Sequence, residues 1–248
     1  MSEMGDLTDD AVLGGRLRLL QPARGHRAGS DAVLLASAVP AGDGEHVLDF
    51  GAGVGTAGLA VLERVGGTCA TLVEIAPDLA ELARSNAERN GMAERVRVLT
   101  SDVGRLVADG VVPPDRADHV LMNPPFHDPH GRRSPDPATA RARMAEVGLL
   151  DLWCRSAAGV LKPGGTLTLI HRPDALDEIL QATARRFGGV WLRFVHPDPG
   201  RPAVRVLLAG IKGSKAPLRV LPPLMLQGGE GRFSEEAEAL HRGAGMQI

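Results

Sequence analysis

The chain has 248 residues, with 28 Lys and Arg against 30 Asp and Glu and a net charge of −2. Its 44% hydrophobic and 23% charged content suits a protein with a substantial core and excludes long disorder or coiled coil as the dominant state. No stretch approaches the ~18 apolar residues of a membrane span. The acidic start MSEMGDLTDD is unlike a secretory leader, and two cysteines are too few for a disulfide framework or zinc cluster, so a cytoplasmic protein is expected.

Residues 1–10 read as a frayed acidic tail, and residues 12–20, VLGGRLRLL, as a short strand pair. A turn-rich stretch follows, and Ser30 or Asp31 is positioned to cap a short helix that ends before Pro40. Short apolar runs at Val47–Phe50, Cys69–Val73, Val96–Leu99 and Asp118–Met122 then alternate with helical patterning. The clearest helix carries Leu79, Leu82, Ala83, Asn86 and Ala87 and stops at Asn90-Gly91. Strands separated by helices predict a parallel sheet with right-handed crossovers. Residues 123–137 read as a loop, 138–161 as helical, 162–165 as a turn and 166–171 as a strand. A helix over about 174–186 precedes two strands, Val190–Val195 and Ala203–Gly210, whose Pro/Gly-rich connection predicts an antiparallel hairpin.

Asp49-Phe-Gly51-Ala-Gly53-Val-Gly55 lies between a strand and a helix. Glycines there let a ligand approach the backbone closely, outside the strand ends of an open α/β sheet. The spacing is G-x-G-x-G, not the G-x-G-x-x-G of dinucleotide binders, and a plain tight turn is the alternative. Glu74 ends the next strand, 23 residues after Gly51, where a carboxylate can accept from two ribose hydroxyls. Asp102, past the third strand, can meet an adenine or simply cap a helix.

The order VLDFGAGVG, VEI, SDV resembles the class I S-adenosylmethionine-dependent methyltransferases. The resemblance implies a Rossmann-like seven-stranded sheet with an antiparallel last strand, in a three-layer α/β/α arrangement. It also implies S-adenosyl-L-methionine as cofactor: Gly51 and Gly53 beneath the methionine part, Asp49 near its ammonium, Glu74 on the ribose and Asp102 on the adenine. Ala52, Ile75 and Val103 complete these expected contacts. The core is expected over residues 45–210, with residues 1–44 and 211–248 as N- and C-terminal extensions rather than further domains.

Asn123-Pro124-Pro125-Phe126 follows the fourth core strand. The Asn123 side-chain oxygen and the Pro124 carbonyl can both accept from an NH2 group, and the prolines restrict the backbone that presents them. Neither is a strong base; together they orient an amine and stabilise charge developing on its nitrogen. Phe126 can stack on a flat substrate. The tetrapeptide resembles the [DNS]-PP-[YFW] signature of methyltransferases acting on amino nitrogens, implying Asn123, Pro124 and Phe126 as catalytic and Asn123 as a cofactor neighbour too. No nucleophile is required, and Cys69 is expected as a buried strand residue.

Gln21-Pro22, His26-Arg27, Gly29-Ser30-Asp31 and Leu34-Leu35-Ala36, with the Lys-Gly-Ser near the end, resemble the bacterial tRNA1(Val) (adenine-N6)-methyltransferase family. That resemblance implies a tRNA substrate met by Arg27, Asp31, Pro125, His127, Arg132 and Arg133. Residues 185–219 carry eight Arg and Lys against Asp198 alone, which fits a phosphate-facing surface or a solvated face balancing acid elsewhere. His127 and His130 lack companion ligands, so no metal is expected. Trp153 on an apolar helix face is expected in the core, and His171 at the end of the fifth core strand. The rivals are a protein glutamine-N5 methyltransferase, a non-catalytic RNA-binding protein on this scaffold and an enzyme acting on a small-molecule amine. Nothing in the sequence sets an oligomeric state.

Overall fold

The computed structural model describes residues 6–23, 29–125, 148–228 and 231–247. Two strands, β1 (Leu7–Val12) and β2 (Leu17–Pro22), form an antiparallel hairpin through Gly14 and Gly15, both at positive φ. The strand therefore begins inside the stretch read as a frayed tail. Its acids are matched rather than repelled: Asp9 meets Arg18 at 3.1 Å and Arg89 at 2.8 Å, and Asp10 accepts from Gln21.

Helix α1 (Ser30–Ala38) leads to β3 (His46–Phe50), α2 (Thr56–Arg64), β4 (Cys69–Glu74), α3 (Pro77–Arg89), β5 (Val96–Thr100) and β6 (Ala117–Met122). After residue 148 come α4 (Leu149–Val160), β7 (Leu161–His171), α5 (Leu176–Thr183), β8 (Phe187–His196), β9 (Arg205–Lys212), two short strands β10 (Arg219–Val220) and β11 (Leu224–Met225), and α6 (Glu235–His241).

The main sheet runs β5-β4-β3-β6-β7-β9-β8-β10, and β11 also pairs with β8. β9 is antiparallel to both neighbours; β3 to β7 are mutually parallel. The seven-stranded expectation describes the core of this sheet, to which the C-terminal segment adds β10 and β11. The strand order reverses between β3 and β6, so the loop after β3 opens at the switch point where α/β proteins bind ligands. One apolar layer joins α1, α2, α3 and β2 to the sheet, and another joins α4 and α5 to the opposite face.

Several local departures have simple causes. Lys162-Pro-Gly-Gly165, expected as a turn, is an irregular opening of β7, where the pairing register to β6 shifts. α5 stops at Thr183 and β8 begins at Phe187, with Arg185 at φ 66° and Gly189 at φ 57° making the bend and bulge. Cys69 is exposed, not buried, because it is the first residue of β4 and stands at the rim.

The hairpin is fastened to the domain by two asparagines, Asn86 on α3 and Asn90 at its C-terminal cap. Asn86 Oδ1 accepts from the Leu20 amide at 2.7 Å, while its Nδ2 donates to the Leu20 and Val54 carbonyls at 2.9 and 3.0 Å. One turn on, Asn90 repeats the pairing with the amide and carbonyl of Arg18. Four helical residues advance about 6 Å and two strand residues about 6.6 Å, so side chains at i and i+4 can imitate a neighbouring strand. Asn86 is fully buried, and its loss would leave three backbone groups unsatisfied. Asn86→Leu is expected to lower stability by about 3 kcal/mol in urea titration, and the more exposed Asn90→Ala by about 1 kcal/mol.

Candidate active site

The carboxyl ends of β3, β4, β5 and β6 lie side by side, because Phe50 pairs with Val73 and Met122, and Val73 with Leu99. Each strand ends in a residue singled out by sequence: Asp49 and Gly51, Glu74, Asp102, and Asn123. They border a cavity with two lobes that share Gly51, Gly53, Leu79 and Asn123. The larger lobe, about 550 Å³, is walled by Glu74, Ile75, Asp102, Val103, Pro124 and Trp153 among others. The smaller, about 390 Å³, is walled by Ser30, Asp31, Asp49, Ala52, Thr56 and Arg205 among others.

The glycine loop is held open by its own geometry. Gly51, Gly53 and Gly55 all have positive φ, a region costly for other residues. A Cβ on Gly51 would lie 2.7 Å from the Trp153 ring, whereas one on Gly53 would project into open space. Trp153 is thus a core residue, edge-on to Phe50, that also floors the larger lobe. Gly58 permits close packing of α2: a Cβ there would come within 2.4 Å of Leu72, and its amide donates to Asp49 Oδ2 at 2.8 Å.

Glu74 is buried, and its two oxygens accept from the Gly53 and Ala76 amides at 2.8 and 2.9 Å. It therefore braces the glycine loop against the start of α3. Ile75 beside it is 66% exposed, an apolar side chain laid on the cavity wall. Asp102 caps a short 3-10 turn, one oxygen accepting from Gly104, and it also lines the larger lobe. Burial pushes the Asp49 carboxyl up to about 7, opposed by the Gly58 amide and reinforced by the nearby Glu74 charge. Burial likewise pushes the Cys154 thiol up to about 12, so it is inert. The His171 imidazole ends β7 as expected, and burial pushes it down to about 4.

Asn123 stands where the lobes meet, and its buried Oδ1 has no hydrogen-bond partner among the described residues. Pro124 is buried, and Pro125 is exposed at the mouth of the larger lobe. Phe126, His127, Arg132, Arg133 and Arg27 lie outside the described residues. Asp31 does not cap α1, whose cap position is Gly29; instead its carboxylate meets Arg205 Nε at 2.7 Å in the smaller lobe.

The basic C-terminal segment is not one surface. Arg186, Arg193, Arg205 and Lys212 are spent in ion pairs with Asp151, Glu236, Asp31 and Asp115. The antiparallel register of β8 and β9 also puts Arg201 and Arg205 at the ligand edge, and Arg185, Arg186, Lys212 and Lys215 at the other end. Ten residues of β8 separate the two groups by about 30 Å. Thr56 and Arg205, which the sequence pattern does not single out, also line the smaller lobe. For Thr56 the one signal is its place directly after the third glycine. Arg205 had no local signal, because only the antiparallel return of β9 brings it to the cavity.

Residues 27–187 match the model of the methyltransferase small domain. The chain belongs to that family. It is an S-adenosylmethionine-dependent methyltransferase. A tRNA1(Val) (adenine(37)-N6)-methyltransferase of Porphyromonas gingivalis is 33% identical over 187 residues, spanning 73% of this chain and 72% of that protein. One from Dickeya chrysanthemi is 26% identical over 222 residues, spanning 87% and 86%. The crystal structure of a predicted O-methyltransferase from Agrobacterium tumefaciens shares 35% identity at a TM-score of 0.75, covering 87% of this chain and 98% of that one.

The cavity fits the cofactor on its own chemistry: an open glycine cradle at Gly53, an apolar wall at Ile75, carboxylates at Glu74 and Asp102, and a buried acid at Asp49. The raised Asp49 carboxyl has a consequence for stability. The folded protein holds this proton more tightly than the unfolded chain, so stability falls as pH climbs from about 4 through about 7. Asp49→Asn should remove that fall. Thermal melts of the ligand-free protein are expected to show the variant gaining stability over wild type at pH 8 but not at pH 4. Calorimetry at pH 8 should show weaker binding of S-adenosylhomocysteine to the same variant.

Proposed function

We propose that this methyltransferase transfers a methyl group to the exocyclic N6 amine of adenine in tRNA. The observation that carries the reading is Asn123 Oδ1, a buried acceptor without a donor among the described residues, at the junction of the two lobes. An NH2 group brings two hydrogens, one for Asn123 Oδ1 and one for the Pro124 carbonyl. With both N–H bonds directed there, the nitrogen lone pair points away from the two acceptors and toward the cavity. A hydroxyl has a single hydrogen and would need a base to remove it, which suits this pair of acceptors less well.

S-adenosylmethionine supplies an electrophilic methyl group and a neutral thioether leaving group. The chain's own contribution is then positional and electrostatic. Asn123 and Pro124 hold the amine and stabilise positive charge as it develops on nitrogen. Glu74 receives ribose hydroxyls, Asp102 the adenine amino group of the cofactor, and Ile75 with Val103 the adenine faces. Phe126 stacks on the acceptor base. Arg27, Pro125, His127, Arg132 and Arg133 are assigned to the RNA side.

The names of relatives that align over most of the chain support adenine in tRNA as the acceptor. Purified protein with labelled cofactor and total RNA is expected to yield labelled N6-methyladenosine in the tRNA fraction. Label confined to protein or small-molecule pools would overturn the assignment. Asn123→Ala should lower kcat about 100-fold while S-adenosylhomocysteine affinity stays within threefold. An equal loss of cofactor binding would show that Asn123 serves the cofactor and not the amine.

A further inference from the structure

A further cavity, of about 490 Å³, opens at the amino ends of β3, β4 and β5, on the edge of the sheet away from the active site. Cys69 lines it and Glu74 lines the active site, at opposite ends of one strand about 17 Å apart. The cavity exists because one crossover lacks a full helix. The connections from β3 to β4 and from β4 to β5 run through α2 and α3, which cover one face of the sheet. The connection from β5 to β6 passes over the other face with only a 3-10 turn, Val103–Arg105. Its Val103 and Leu106 pack with Phe50 and Val73, on the carboxyl half of the strands. The amino half stays open, and there Cys69 pairs with His46 and Thr71 with Arg97. Strands of a parallel sheet are normally apolar on both faces, so these polar residues are not what packing alone would place there.

Four cations line this cavity, Arg95, Arg97, Arg116 and Lys162, against two acids, Glu94 and Asp118. Two of the cations are engaged within the protein. Arg95 donates to the Leu62 and Thr68 carbonyls at 3.4 and 3.2 Å, and Lys162 meets Asp118 at 2.6 Å. Arg97 and Arg116 are exposed, and neither guanidinium has a hydrogen bond or ion pair among the described residues. His46 Nε2 lies 2.9 Å from Thr71 Oγ1, and burial holds the imidazole below its ordinary range, so it adds no charge. Leu99, Val111, Val112 and Pro113 give the same cavity an apolar side.

Two guanidiniums in one cavity suit a phosphate, whose oxygens they can engage in pairs. Inorganic phosphate would leave the apolar side unused. An RNA backbone is bound by a track of cations, and here two are free and the wall between strand and loop is apolar. The volume is in the range for a small organic ligand. We propose that this cleft binds a mononucleotide, its phosphate on Arg97 and Arg116 and its flat base against Leu99, Val112 and Pro113. The site lies outside the methyl-transfer machinery and does not rest on the acceptor assigned to it.

Cys69 provides the readout. It is an exposed thiol inside the cleft, whereas Cys154 is buried and inert. Alkylation of Cys69 by neutral iodoacetamide is followed by mass spectrometry, with S-adenosylhomocysteine saturating so that nucleotides are kept out of the active site. AMP, GMP and UMP are the probes, with guanosine, inorganic phosphate and total tRNA beside them. At least one mononucleotide is expected to slow alkylation in a saturable way, well below the concentration at which guanosine or phosphate does so. Arg97→Gln and Arg116→Gln should each weaken that protection about tenfold, in the range for one charge-assisted hydrogen bond. Both variants should keep wild-type melting temperature and S-adenosylhomocysteine affinity, and Arg97→Lys should restore part of the protection. Absence of protection by all three mononucleotides would overturn the proposal. Protection by tRNA alone would overturn it in favour of an RNA-backbone surface. Protection by guanosine or phosphate equal to that by the nucleotides, or protection that survives both Arg→Gln substitutions, would overturn it as well.

Discussion

The side chain of Asn86 is the joint on which the arrangement turns. Its one amide engages β2 through Leu20 and the glycine loop through Val54, from a fully buried position on α3. The N-terminal hairpin, the helix after β4 and the glycine loop are thereby fixed to one another by three hydrogen bonds from one side chain. A buried polar group of this kind is costly unless every partner is present, so it specifies one arrangement and penalises the rest. Glu74 does related work from the neighbouring strand, bracing Gly53 against Ala76. The loop thus owes its shape to carboxylate and amide contacts as much as to its glycines.

These restraints leave a cavity whose unsatisfied groups are few and specific. Most of its wall is backbone, apolar side chain or a carboxylate already accepting from an amide. Asn123 Oδ1 and Thr56 Oγ1 stand apart as buried oxygens without a hydrogen-bond partner among the described residues. Thr56 lies in the smaller lobe and Asn123 at the boundary between the two, so the open hydrogen-bonding capacity is concentrated on that side of the cavity. The larger lobe is walled mainly by apolar side chains, backbone and the two acids Glu74 and Asp102.

The parts of this picture visible in sequence are those set by local spacing. The alternation of strands and helices, the glycine loop, Glu74 at a strand end and the NPPF tetrapeptide all report on positions near in the chain. The Gly-to-Glu74 spacing reads through because parallel strands with short crossovers bring successive strand ends to one edge. The parts not visible depend on pairing between distant segments. A run of eight basic residues looks like one surface, but the register of β8 against β9 sends its members to opposite ends of the sheet, and four are neutralised by acids far away in the chain. Asp9 and Asp10 look like a charged tail until the cations on β2 and α3 are placed beside them. Cys69 is apolar enough for the core, yet at the first position of β4 it is exposed.

The Asp31–Arg205 contact joins residues 174 positions apart, one near the beginning of the chain and one on the strand that closes the sheet. This gives the site an order of assembly. During synthesis the glycine loop, Glu74 and Asp102 leave the ribosome well before β9. The smaller lobe lacks its cation until β9 has emerged and paired with β7. The smaller lobe is therefore complete only once the sheet is.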